Sequence, residues 1–62
     1  MKHFTTIYTQ GKYSIDKDNY NDLYAVFVQC KGFKQQISNW YILLGYAYKY
    51  LNKRIGGLNN EI

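Results

Sequence analysis

Cys30 is the only cysteine in the 62-residue chain, and His3 is the only histidine. An internal disulfide is therefore impossible, and a structural zinc site, which takes about four ligands, is out of reach. A chain of this size hides only about 60% of the surface its unfolded form exposes. One small core must carry the whole of a single domain, residues 1–62, with self-association as the expected further support. The lone thiol reads as a small buried hydrophobe in a reducing compartment. Residues 1–6 lack the apolar run of a secretory leader. The most apolar stretch, residues 40–51, falls short of the roughly 20 residues that cross a bilayer. A cytoplasmic location without a membrane partner is the expectation.

The sequence has no proline, so glycines punctuate it. Residues 3–9 alternate as a strand does, with Phe4, Thr6 and Tyr8 on one face. A hairpin through Gln10-Gly11 would set Tyr8 against Tyr13 and Thr6 against Ile15, gathering Phe4, Tyr8, Tyr13 and Ile15 on one side. Asp16, Asp18 and Asp22 then have the look of a helix start, where carboxylates cap free N–H groups. Tyr20, Leu23, Tyr24, Phe27 and Lys31 follow at helical spacing, and Gly32 suits the residue after a helix. The β-branched and aromatic run 23–28 leaves a strand as the competing reading.

The longest regular pattern comes next. Ile37, Trp40, Tyr41, Leu44, Tyr48, Leu51 and Ile55 recur at steps of three and four, which predicts a helix over 37–55. Gly45 inside it costs about 1 kcal/mol relative to alanine. Lys53 and Arg54 stand in the last turn, where cations are favoured, and Gly56-Gly57 ends it. The expected fold class is α+β, mainly helical: an N-terminal β-hairpin followed by an antiparallel two-helix pair. The expected core is Phe4, Tyr8, Ile15, Leu23, Phe27, Ile37, Trp40, Leu44, Leu51 and Ile55.

Nothing in the chain assembles a catalytic set. A nucleophile needs a base and an orienting group within reach, and the single histidine lies near the N-terminus. The aspartates are explained by capping. No glycine-rich loop opens a helix to cradle a phosphate. The sequence therefore reads as a non-catalytic binding protein without metal or cofactor.

Charge and aromatic content indicate where binding occurs. The net charge is +4, and no acid falls between Leu23 and Asn60, a stretch that holds Lys31, Lys34, Lys49, Lys53 and Arg54. Any fold presents a positive surface there, suited to an anionic partner. Eight tyrosines, three phenylalanines and one tryptophan make up 19% of the chain. On the predicted second helix, Leu43, Tyr46 and Tyr50 line up away from the core stripe. Tyrosine favours interfaces because it joins a large apolar body to a polar tip. The leading expectation is a surface of Leu43, Tyr46, Tyr50, Lys49, Lys53 and Arg54. It would dock on a larger protein with an acidic surface, occluding or regulating it, or on a second copy.

A nucleic acid is the alternative partner. Read with a turn at Gly45, residues 37–44 form a first helix and 46–55 a recognition helix, with Lys49, Lys53 and Arg54 facing DNA. The segment from Leu44 to Lys53 resembles the turn and recognition helix of bacterial winged-helix regulators of the catabolite-activator family. With the first helix included, over residues 37–55, the resemblance spans about twenty residues and implies a DNA-binding transcriptional regulator. Tyr41 stands where that motif takes a small residue, and Arg54 where it takes an apolar one.

Overall fold

The computed structural model describes residues 2–56. Four strands are joined in chain order into one antiparallel meander: β1 (Phe4–Gln10), β2 (Tyr13–Asp18), β3 (Leu23–Cys30) and β4 (Phe33–Gln36). One helix follows, α1 (Leu44–Gly56). The fold is thus a sheet with a single helix on one face. The mainly helical architecture and its two-helix pair are overturned.

The first hairpin forms, in a different register. Gly11 has φ +60, the value that the first central residue of a type II′ turn needs, so the loop is Gly11-Lys12. Gln10 then pairs with Tyr13 and Tyr8 with Ile15. A bulge between Thr6 and Tyr8 adds one residue to β1. It reverses the alternation of β1, so Phe4 pairs with Asp18 on the opposite face from Tyr8.

The predicted first helix is β3. The capping chemistry of Asp18 is real, but it closes a turn. Asp18 Oδ1 accepts the N–H groups of Tyr20 (2.9 Å) and Asn21 (3.3 Å), and Asp18 O accepts Asp22 N–H at 2.8 Å. Asp22 takes φ 55, a left-handed conformation that aspartate tolerates better than most residues, and the chain reverses into β3. Along β3, Tyr24, Val26 and Val28 face the helix, while Leu23, Ala25 and Phe27 face the other way. Both faces carry apolar side chains, so a helical phase can be traced through what is a two-sided strand. Gly32, at φ 78, completes the Lys31-Gly32 turn into β4 and ends no helix.

The predicted second helix loses its first two turns. Residues 37–41 run beside β3: Ile37 N–H donates to Val26 O at 2.9 Å, and Tyr24 and Tyr41 exchange backbone bonds of 2.8 and 2.6 Å. Between them Ser38 Oγ accepts Val26 N–H at 2.8 Å. Serine and asparagine offer the backbone local side-chain partners that compete with a helix, and Ser38-Asn39 interrupts here. Gly45 lies inside α1 with open space around it and marks no turn.

The core lies between sheet and helix: Ile15 and Val26 from the sheet, Ala47 and Leu51 from α1, with Tyr13, Tyr24, Ile37, Tyr41, Leu44, Tyr48 and Ile55 around them. Of the expected core, Ile15, Ile37, Leu44, Leu51 and Ile55 belong to it. Phe4 and Tyr8 are exposed. Phe27 and Trp40 meet on the helix-free face, with ring centroids 6.0 Å apart. Burying these few side chains contributes roughly 1.5–3 kcal/mol each.

Candidate functional site: the outer ridge of the helix

Alanine 47 and Leu51 fix which side of α1 faces the sheet. Stepping about 100° per residue from them places Tyr46, Lys49 and Lys53 on the outward side. Tyr50 and Arg54 lie on the flank towards Ile37. Leu43 immediately precedes the first helical residue, and its carbonyl accepts Tyr46 N–H at 3.1 Å. Ile42, Leu43 and Tyr46 are 74%, 58% and 52% exposed. They form an apolar ridge at the start of the helix that continues into Lys49 and Lys53, both exposed.

Five of the six residues expected at the site, Leu43, Tyr46, Lys49, Lys53 and Arg54, are exposed. Tyr50 is partly buried and fixes the fold. Its hydroxyl donates to Ile37 O at 2.6 Å and lies 3.5 Å from Arg54 Nη1. Tyr50, Lys53 and Arg54 line an open hollow of about 140 Å³. Ile42 is absent from the sequence-derived set. Its signal was the unbroken run Tyr41-Ile42-Leu43-Leu44, of which only Tyr41 and Leu44 pack into the core.

The charge around the ridge follows from the topology. Helix α1 starts near Tyr41, which is bonded to Tyr24 at the end of the sheet where β2 turns into β3. Its middle crosses the Ile15–Val26 row, and Tyr48 meets Tyr8 there with ring centroids 5.3 Å apart. Lys53 and Arg54 stand in the last turn of α1, and the two glycine turns at the other end of the sheet carry Lys12 and Lys31. The carboxylates sit at the first end or on the far face, each beside a basic side chain. Asp18 is 3.3 Å from His3 Nε2, Asp22 is 3.4 Å from Lys17 Nζ, and Asp16 is 3.2 Å from Lys34 Nζ. Lys34, expected on the positive surface, folds back over the helix-free face onto Asp16 and also reaches Thr6 Oγ1 at 3.1 Å. Among the described residues, Lys49, Lys53 and Arg54 face no acid.

The helix-free face carries a second aromatic group. His3 stacks on Phe4 (4.3 Å) and meets Tyr20 edge-on (4.6 Å), and Phe4 lies 6.1 Å from Trp40. Within this group Phe4 and Tyr20 keep much of their surface exposed, at 46% and 61%. Asp16 and Asp18 are buried on the same face. The Asn21 side-chain amide holds the Asp18 carboxyl below its ordinary pKa. Burial opposes this shift, while the Tyr20 and Asn21 N–H groups and the charge of His3 add to it.

The first helix of the helix-turn-helix reading is absent, because residues 37–43 form no helix. No helix among the described residues is long and apolar enough to cross a membrane. Comparison of the chain with protein-family models, with curated proteins and with solved structures finds no match.

Proposed function

We propose that this protein is a non-catalytic interaction module that docks the outer ridge of α1 onto an acidic surface of a larger cytoplasmic protein, occluding or regulating it. The observation that carries the reading is the exposure of Ile42, Leu43 and Tyr46 side by side, next to cations that face no acid among the described residues. Three large apolar side chains on one turn cost solubility unless something covers them. The cations steer an acidic partner, and the ridge supplies the desolvated contact. Cys30, the lone cysteine and partly buried, suits a reducing compartment.

A photo-crosslinking residue in place of Tyr46, with a control in place of Gln36 on β4, tests the placement in cells. The Tyr46 position should capture one protein that the Gln36 position does not, and that protein should offer an acidic patch at the crosslink. Equal capture from both positions, or capture of nucleic acid alone, would remove the ridge from this role.

A further inference from the structure

We propose that the free edge of β1 pairs with β1 of a second copy, giving a symmetric dimer whose sheet continues across both chains. This interface is separate from the α1 ridge and does not depend on what the ridge binds.

Strand β1 lies at the edge of the sheet, and its seven residues are all exposed. Among the described residues nothing pairs with its outer side. An open edge presents a row of unpaired N–H and C=O groups, and natural edges are blunted with charged side chains, proline or bulges. β1 has neither lysine nor proline, and its one bulge, at Ile7, leaves a run of extended residues on either side. Its sequence, Phe4-Thr5-Thr6-Ile7-Tyr8-Thr9-Gln10, has no charge, no proline and no glycine, and is made largely of strand-favouring residues. The other edge differs. β4 has only four residues, one of them Lys34, and the chain beyond it is already bonded to β3.

The occupant follows from charge and register. Each chain carries a net charge of +4, so two copies meet most readily where no charge is left unpaired; β1 has no charged residue, and the Lys34 ammonium that reaches Thr6 Oγ1 is paired with Asp16. The bulge decides the pairing. Because it reverses the alternation after Thr6, side chains stay on matching faces only when a two-fold axis passes between Thr6 and Ile7. Phe4 then lies opposite Thr9 of the second copy, Thr5 opposite Tyr8, and Thr6 opposite Ile7. Aromatic and β-branched cross-strand pairs of this kind are favourable, and none sets like charges against each other. An axis perpendicular to the sheet leaves both helices on the same side, so the two α1 ridges face one way.

Light scattering on a sizing column, run over a concentration series, reads the assembly. The wild-type chain should approach twice its chain mass as concentration rises. Ile7→Lys, which sets two ammonium groups beside the axis, should stay at one chain mass with the same circular dichroism. Tyr46→Ala should still dimerise. A wild-type chain that remains monomeric at every concentration overturns the proposal, as does an Ile7→Lys dimer. Should Ile7→Lys fail to fold, amide exchange of the wild type decides. Protection of alternate β1 amides that grows with concentration supports the pairing, and protection independent of concentration refutes it.

Discussion

Asp18 holds the β2–β3 turn through its carboxylate, and only the ionised form serves all its partners. The Asn21 amide, the two backbone N–H groups and His3 all favour the negative charge, so the pKa lies below the ordinary aspartate value of about 3.9. A carboxyl whose pKa is depressed by folding stabilises the fold above its unfolded pKa. That contribution fades as pH falls through the folded value. Wild-type stability should therefore fall as acid is added below about pH 4. Asp18→Asn, which cannot titrate, should be less stable at neutral pH and fall less steeply. Denaturant unfolding at a series of pH values measures both slopes, and equal slopes would contradict this role. The sequence already marked Asp18 as a capping residue. What it did not mark was the length of chain being capped, because an aspartate receives two N–H groups equally well at a helix start and in a six-residue reversal.

Helix α1 begins without a cap. Leu43 occupies the position where serine, threonine, aspartate or asparagine would accept a free N–H group, and the first turn contains no acid. A leucine there, 58% exposed, forgoes stability for a side chain the fold does not use. Leu43→Ser should stabilise the protein by about 1 kcal/mol and weaken partner binding by several-fold. Thermal unfolding and a binding titration on the same sample check the opposed signs. A variant that gains stability and keeps full affinity would make Leu43 incidental. The helix itself was legible from Leu44 onward, because Leu44, Tyr48, Leu51 and Ile55 keep one face against the sheet. Its start was not. Ile37 and Tyr41 satisfy the helical phase and are also the side chains that residues 37–41 turn to the core while running beside β3. β3 was misread for a related reason: a strand covered on both faces loses the alternation that identifies strands. Register failed at β1 because a single bulged residue changes which face every later side chain takes.

At the scale of the whole molecule, charge is sorted. The described carboxylates lie beside Lys17, Lys34 and His3, while Lys12 and Lys31 stand in the two glycine turns and Lys53 and Arg54 in the last turn of α1. The acid-free stretch in the sequence announced this polarity, although Lys34 leaves the set by folding onto Asp16. The apolar ridge and the cations then divide the work. In the proposed complex, contact area from Leu43 and Tyr46 would set its lifetime, and the cations would set its rate of formation and its sensitivity to salt. The ridge is the proposed contact surface. Its most direct test is the affinity of the partner captured at position 46 for wild type and for Tyr46→Ala, with unfolding measured on both. A loss of about tenfold, corresponding to roughly 1.4 kcal/mol, is expected at unchanged stability and mainly through faster dissociation. Equal affinity for the two proteins would contradict it.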